Sequence, residues 1–175
     1  MEFNADHFSL FELPATFRLD AALLDRRYLE MQSRVHPDRF ASAGEAERRL
    51  SLQWATRVNE AYQTLRKPLP RARYLLQLAA HELGSENNAL MPHDFLVEQM
   101  EWREAVGEAR VAREHHELEH LHHRLQRDML ERYDEIAILL DDQHDLEQAA
   151  DRVRRLMFLE KLLSEIDDAI AVSEE

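Results

Sequence analysis

Residues 33–40 read SRVHPDRF, and the proline in this stretch interrupts what is otherwise the pattern of an amphipathic helix. A proline inside a helix costs about 3 kcal/mol, because it lacks an amide hydrogen and its ring clashes with the preceding turn. Pro37 therefore predicts a helix end, and His36 before it is pushed towards extended backbone geometry. We expect His36, Pro37 and Asp38 to form a stiff, exposed loop.

Four helices are predicted around this loop. A short helix covers residues 6–13, and a second begins near Asp20, a favourable N-cap residue. A third lies between Gly44 and Pro68, and a fourth covers residues 71–78. The apolar residues recur at helical spacing, and the stripes they predict are Leu24, Tyr28, Met31 and Val35 on the second helix and Leu50, Trp54, Val58, Ala61 and Leu65 on the third.

The second and third helices form a predicted antiparallel hairpin with a basic flank. Arg26, Arg27 and Arg34 project from the other sides of the second helix, and Arg39 follows the loop. Such a flank can attract an acidic partner, since complementary charge raises association rates. The alternative for each of these arginines is a solvated helix face without a partner.

Composition restricts the class of protein. The 175 residues are 45% hydrophobic and include only three glycines and five prolines, which favours an all-helical protein of one domain or two small ones. The absence of cysteine excludes disulfides and thiolate metal sites and indicates a reducing compartment. The longest apolar run, IAILL, is far too short to span a bilayer, and no signal-peptide pattern begins the chain. We expect a cytoplasmic protein without a membrane partner.

Charge divides the chain into two parts. Residues 1–80 carry 10 acidic and 12 basic side chains, whereas residues 81–175 carry 25 acidic and 10 basic ones. The acidic part would be repelled by phosphate backbones, so no nucleic-acid partner is expected. The change coincides with HELGSENNALMPHD, which has the composition of a linker. We therefore predict a first domain over residues 1–80, a linker over residues 81–91 and a second domain over residues 92–175.

The second domain is predicted to be a bundle of three antiparallel helices, near residues 92–106, 112–140 and 146–170. Apolar residues at helical spacing define the side of each helix that faces the core. The predicted core residues are Phe95, Trp102 and Val106 on the first helix, Leu118, Leu121, Leu125, Met129, Ile136 and Leu140 on the second, and Val153, Leu156, Leu159, Leu163, Ile166 and Ile170 on the third.

Several apolar residues of this domain have no place in that core. Leu96, Val97 and Met100 lie on roughly the opposite side of their helix, and Phe158 lies away from the core stripe of the last helix. A small bundle cannot bury residues on both sides of its helices, so these residues predict an exposed apolar patch beside the acids Glu101 and Glu104. Burial of the patch against the first domain is the open alternative.

The order of helices around the His-Pro-Asp triplet resembles the J-domain of DnaJ-type co-chaperones. The stretches FSLFELP, HPDRFA and AYQTLRKPLPRARYLL, together with FLVEQMEWREAV and RLMFLEKL beyond the linker, are similar to the HscB family, the J-type co-chaperones of iron–sulfur cluster assembly. The resemblance covers nearly the whole chain. It implies an all-α fold, with an N-terminal J-domain hairpin and a C-terminal three-helix bundle in an L-shaped arrangement.

The resemblance also implies two partners and the residues that contact them. A DnaK-class ATPase chaperone of the HscA type would be bound and stimulated by the first domain, and an iron–sulfur scaffold protein of the IscU type would dock on the second. The residues implied for the chaperone are His36, Pro37 and Asp38, with Arg26, Arg27 and Arg34 steering it, and those implied for the scaffold are Leu96, Val97, Met100, Glu101, Glu104 and Phe158. Two residues depart from the family pattern, Val97 where a longer residue such as Met is usual and Trp102 where Leu is usual.

An enzymatic interpretation rests on HHELEHLHH, residues 115–123. His116, Glu117 and His120 form the H-E-x-x-H pattern of zinc proteases. Catalytic zinc needs a third protein ligand, and His123 is a poor one because its Cα lies ~10 Å along the helix from that of His116. The helix phase also turns these histidines towards water, whereas His122 lies near the buried side.

We therefore predict a co-chaperone that is not an enzyme and has no metal or other cofactor. Adventitious binding of a transition metal to the histidines of residues 115–123 stays open. A general DnaJ-type co-chaperone with another client also stays open, although the chain lacks the Gly/Phe-rich segment or cysteine zinc repeats that such proteins often carry.

Overall fold

The structure is a computed structural model that describes residues 5–40, 42–81, 83 and 92–173. Within these residues every regular element is helical, as predicted. The chain divides into two compact units, Met1–Leu78 and Ala79–Glu175. The predicted linker, residues 81–91, falls almost entirely outside the described residues, so its extent stays a prediction.

The described residues of the first unit form four α-helices and one 3₁₀ turn. Asp6 caps the first helix, because its carboxylate accepts hydrogen bonds from the amides of Phe8 and Ser9 at 2.9 and 3.0 Å. Asp20 caps the second as predicted, through the amide of Leu23 at 3.0 Å. The elements are α1 (His7–Leu10), α2 (Ala21–Val35), the 3₁₀ turn (Pro37–Phe40), α3 (Glu45–Arg66) and α4 (Pro68–Leu78).

Two predicted helix limits in this unit are wrong. α1 ends at Leu10 and not at residue 13, because Glu12 adopts a left-handed backbone (φ 53°) that closes the helix. α4 begins at Pro68 and not at residue 71, since proline in the first turn of a helix removes only an amide that would have no helical partner.

α2 and α3 pack as the predicted antiparallel pair. Tyr62 donates its hydroxyl hydrogen to Asp25 at 2.9 Å, and Tyr28 donates to Asn59 at the same distance. The later residue on α2, Tyr28, is paired with the earlier residue on α3, Asn59. This order shows that the two helices run antiparallel. The rings of Tyr28 and Tyr62 also stack at 4.0 Å between centroids.

The buried stripe of α3 differs from the prediction at its first residue. Leu50 is 50% exposed, whereas Ser51 is only 4% exposed. The polar residue takes the buried position because its hydroxyl donates to the carbonyl of Val35 at 2.7 Å. Tyr28 and Trp54 pack against the core cluster, and the other predicted stripe residues, Leu24, Met31, Val35, Val58, Ala61 and Leu65, are buried in it.

The described residues of the second unit form three long helices, α5 (His93–Ala112), α6 (His115–Ala137) and α7 (Leu146–Ser173), with a π-helical turn at Ile138–Gln143 after α6. α5 is longer than predicted, because Gly107 lies on its exposed side and does not break it. Arg113, with a left-handed backbone (φ 54°), ends α5.

The core of the second unit follows the predicted stripes with two exchanges on α7, where Leu162 and Ala169 are buried in place of Leu163 and Ile170. Leu162 is buried and Leu163 is only half-buried. The residues of α7 that face its neighbours, Leu159, Leu162, Ile166 and Ala169, follow spacings of three, four and three, so Leu163 and Ile170 fall at the edge of the contact. On α5, Phe95, Trp102 and Val106 are buried as predicted, and on α6 Leu118, Leu121, Leu125, Met129 and Ile136 are buried, with Leu140 in the following π-helical turn.

The N-cap of α1 predicts a pH dependence of stability. Burial alone would raise the pKa of Asp6, but the hydrogen bonds from the Ser9 hydroxyl and from the amides of Ser9 and Phe8 together outweigh it and lower that pKa below 3.8. The stabilisation is therefore fully present above the unfolded-state pKa and is lost as the pH falls through the lower folded-state value.

Asp6→Asn keeps a capping acceptor and removes the charge. In urea unfolding near neutral pH, we expect the free energy of unfolding of this variant to be about 0.3–1 kcal/mol lower than that of the wild-type protein. The difference should vanish in strong acid, where Asp6 is protonated. A deficit that is unchanged in strong acid would contradict this account of the cap.

Candidate functional site

The His-Pro-Asp triplet forms an ordered, exposed turn at the end of α2. The helix ends at Val35, and His36 has extended geometry (φ −58°, ψ 128°), as the proline after it predicts. The side chain of Asp38 is 91% exposed and that of His36 is 50% exposed. The triplet therefore presents its acid and its imidazole to solvent.

Hydrogen bonds inside the turn hold its backbone and the imidazole of His36. The amide of Asp38 donates to Nδ1 of His36 at 3.3 Å, and the amide of Arg39 donates to the His36 carbonyl at 3.1 Å. The Arg39 guanidinium donates to the carbonyl of Ser33 at 3.0 Å. In a continuing helix that carbonyl would accept from residue 37, and Pro37 has no amide hydrogen to give.

The three steering arginines predicted on α2 lie in different settings. Arg27 and Arg34 share one side of the helix and line a shallow cleft, whereas Arg26 lies about a quarter of a turn around it. Arg27 forms ion pairs with Glu12 at 3.1 Å and Glu30 at 3.5 Å. Because its charge is partly compensated, the exposed Arg26 and Arg34 are better placed to attract a partner.

The residues predicted for scaffold docking form a surface on α5. Met100 is 71% exposed and Val97 42% exposed, while Leu96 is half-buried. Glu101 and Glu104 are exposed on the same helix. We call these five residues, with Phe158, the α5 face.

Phe158 of α7 lies against α5. Its ring meets the buried ring of Phe95 edge-on, with 5.8 Å between centroids. The guanidinium of Arg103 lies over Phe158 at 5.2 Å from the ring centroid. Since Arg103 follows Met100 by three residues, it shares the same side of α5, so the structure brings Phe158 to the edge of the predicted surface.

Arg103 is a residue of this surface that the sequence interpretation missed. An arginine on an exposed helix has no pattern that separates it from a solvated residue, and its contact with Phe158 depends on how α5 and α7 pack. The available signal was its spacing of three residues from Met100.

A buried arginine holds the start of α5 against α7 beneath this surface. Arg155 is 8% exposed and donates to Asp151 at 3.0 Å and to Asp94 at 3.3 Å. Its guanidinium also lies 5.1 Å from the centroid of the Phe95 ring. The hydrogen bond from Arg155 lowers the pKa of Asp94, so this contact favours an ionised carboxylate where α5 begins.

Trp102 lies in the core of the unit and not on the α5 face. It is 8% exposed, and the Arg124 guanidinium of α6 covers its ring at 4.3 Å from the centroid. The departure from the Leu expected from the family pattern therefore lies where α5 packs on α6.

The histidine-rich segment forms the first turns of α6. His116 is 98% exposed and His120 66% exposed, and their Nδ1 atoms lie 3.3 Å from Glu119 and 3.8 Å from Glu117, respectively. His122 is mostly buried, with Nε2 at 3.0 Å from Asp167. In the part of the chain that the structure describes, no three His, Cys, Asp or Glu side chains are grouped to hold a metal ion.

The described helices include none with the length and apolar character needed to cross a membrane.

Comparisons with known proteins agree across the chain. Residues 91–167 match the family model described as the HSCB C-terminal oligomerisation domain. The co-chaperone protein HscB homologs of Aromatoleum aromaticum and Azoarcus sp. are 54% and 51% identical over 174 residues, which is 99% of this chain and 98% of each relative.

Solved structures give the same result. The chaperone HscB from Vibrio cholerae is 36% identical with a TM-score of 0.82, and the match covers 94% of this chain and 96% of that one. The human co-chaperone protein HscB is 30% identical with a TM-score of 0.89, over 95% of this chain and 83% of that one.

The geometry of the histidine segment predicts no zinc-dependent proteolysis. We expect the purified protein to leave casein intact with or without added zinc. His116 and His120 share one side of α6, but the described residues offer no group of three metal ligands, and a hydrolytic zinc needs a third ligand and a water-restricted cavity. Proteolysis that a chelator abolishes and that His116→Ala removes would contradict this prediction.

Proposed function

The chain belongs to the HscB family of co-chaperones, and from that premise we propose that it delivers an iron–sulfur scaffold protein of the IscU type to a DnaK-class ATPase chaperone of the HscA type. In doing so it stimulates ATP hydrolysis by the chaperone and aids the maturation of iron–sulfur proteins. The observation that carries the proposal is the ordered, exposed turn of His36, Pro37 and Asp38 at the end of α2.

The turn is suited to a brief contact with the ATPase. Its acid is exposed, while the amide of the same residue is bonded to the imidazole of His36. Pro37 further restricts the backbone. The backbone of the turn therefore has little conformational freedom left to lose on binding, and preorganisation of this kind increases affinity without additional contacts.

The exposed arginines of α2 supply electrostatic attraction. Arg26 and Arg34 are exposed, whereas the charge of Arg27 is partly compensated by the carboxylates of Glu12 and Glu30. Attraction between exposed charges is screened by salt. Association with the chaperone is therefore expected to slow as salt is raised.

The α5 face is suited to a partner that offers an apolar patch with basic groups at its edge. Val97 and Met100 expose apolar surface, and Glu101 and Glu104 lie beside it. In the proposed complex this face receives the scaffold. Val97 is shorter than the residue usual in the family, so it contributes less apolar contact there.

The cluster chemistry remains on the scaffold in this proposal. The chain has no cysteine, and iron–sulfur clusters are usually held by cysteine thiolates. The protein then acts by binding two partners and is not itself an enzyme.

A general DnaJ-type co-chaperone with another client is the second candidate. Both candidates use the turn on α2, so the client of the α5 face distinguishes them. Similarity to HscB proteins along the second unit as well as the first favours the iron–sulfur scaffold.

Truncation of the α5 face tests scaffold binding. Leu96→Ala with Met100→Ala removes apolar contacts and should weaken binding of an IscU-type scaffold at least tenfold, as measured by calorimetry. Met100 is 71% exposed and Leu96 is half-buried, so the melting temperature should fall much less than after truncation of a fully buried core residue.

Leu130→Ala is the matched control, since Leu130 is 65% exposed on α6 and should leave scaffold binding unchanged. Unchanged binding by the double variant would exclude the α5 face as the docking surface. A large fall in melting temperature would show that these residues belong to the core.

Asp38→Asn tests the turn. The substitution removes a charge at constant size, and loss of a charge-assisted contact at an interface can cost about 2–5 kcal/mol. We expect stimulation of the chaperone's steady-state ATP hydrolysis to be abolished, while stability changes by no more than about 0.5 kcal/mol and scaffold binding is retained. In excess, the variant should compete with the wild-type protein.

Glu45→Gln, at the start of α3 beyond the turn, is the control for removal of an exposed charge. Full stimulation by Asp38→Asn, with scaffold binding intact, would mean that the triplet is only a turn.

A further inference from the structure

The way in which α2 ends creates a local shortage of hydrogen-bond donors. In a continuing helix the carbonyls of residues 33–35 would accept from the amides of residues 37–39. Pro37 has no amide hydrogen, the amide of Asp38 donates to Nδ1 of His36, and the amide of Arg39 donates to the His36 carbonyl. The last carbonyls of α2 therefore need donors from elsewhere.

Side chains supply two of these donors. The guanidinium of Arg39 reaches the Ser33 carbonyl from within the turn itself. The hydroxyl of Ser51, in the second turn of α3, donates to the Val35 carbonyl at 2.7 Å. This second bond joins residues 16 apart in sequence, so it fixes the end of α2 to the neighbouring helix.

Burial makes the Ser51 bond more consequential than a surface contact. Ser51 and Val35 are each 4% exposed, so water has little access to the Val35 carbonyl if the hydroxyl is removed. A buried carbonyl without a donor is costly. The end of α2 would have to move to find another donor, and His36 follows Val35 directly in the chain.

We propose that Ser51 is a positioning residue for the His36, Pro37 and Asp38 turn, acting through the Val35 carbonyl. This inference rests on the proposed function, because the turn is the part that meets the ATPase chaperone. Ser51 itself is buried and does not touch the partner. Its hydroxyl increases the fraction of molecules whose turn is ready to bind.

The first test is a titration of chaperone ATPase activity with Ser51→Ala. When only a fraction of molecules is competent to bind, the apparent dissociation constant rises by the inverse of that fraction. We expect the concentration for half-maximal stimulation to rise about fivefold, on the scale of one hydrogen bond, while maximal stimulation is retained. A residue that contacts the partner and acts on hydrolysis, as Asp38 is proposed to do, would lower the maximum instead.

Thr56→Ala is the matched control. The Thr56 hydroxyl lies on the same helix and donates to the carbonyl of Leu52 at 3.0 Å, within α3 and on its exposed side. Thr56→Ala removes a hydroxyl, as Ser51→Ala does, together with a methyl group, and it should leave the titration unchanged.

The second test needs no chaperone. In the labelled, full-length protein, Ser51→Ala should shift the carbonyl carbon resonance of Val35 and accelerate amide hydrogen exchange at Asp38 and Arg39 by several-fold. Hydrogen exchange at the amides of α4, which lies elsewhere in the same unit, should change only as far as global stability changes.

The outcomes separate this inference from the proposed function. If the wild-type protein fails to stimulate the chaperone but Ser51→Ala still loosens the amides of the turn, the proposed function fails and the positioning role stands. If Ser51→Ala gives the same ATPase titration as the wild-type protein, the positioning role is overturned. Exchange at Asp38 and Arg39 that rises only in step with α4 would also overturn it, because Ser51 would then be purely structural.

Discussion

The missing amide hydrogen of Pro37 is the constraint on which the first unit depends. It ends α2 after a buried stripe, redirects the chain into a 3₁₀ turn and leaves the last carbonyls of the helix in need of donors. Those donors come from Arg39 within the turn and from Ser51 on the next helix. The residue that breaks the helix thus also determines how the exposed triplet is held, and the rigidity proposed for chaperone binding follows from the same bonds.

The second unit exposes apolar residues on α5 while its helical bundle keeps a packed core. The core is complete without Val97 and Met100, since Phe95, Trp102 and Val106 face the other helices. The α5 face is therefore available to a partner. In the proposed function, client binding and chaperone stimulation depend mainly on residues that lie outside the buried cores of the two units.

Much of this arrangement could be predicted from sequence because it depends on local rules. Proline and capping aspartate mark helix ends, and a period near 3.6 identifies the face that is buried. The errors in which residues are buried or in contact share one cause, which is that packing between helices selects among neighbouring positions. The wrong limits of α1 and α4 have local causes instead, at Glu12 and Pro68. Ser51 is buried where Leu50 was predicted, because a carbonyl on α2 needs its hydroxyl. Leu162 is buried where Leu163 was predicted, because of the direction in which α7 meets its neighbours. Arg103 was missed for the same reason, since its contact with Phe158 exists only after α5 and α7 have packed.

The central claim is that two separate surfaces meet two different partners, and resonance mapping of the labelled, full-length protein tests it most directly. Addition of a DnaK-class chaperone of the HscA type, in its ATP state, should perturb the resonances of the turn and of Arg26 and Arg34. Addition of an IscU-type scaffold should perturb Met100, Phe158 and their neighbours on α5. The account predicts two sets of residues that do not overlap. Perturbation of one shared set by both partners, or of the histidine-rich start of α6 in place of the α5 face, would contradict it.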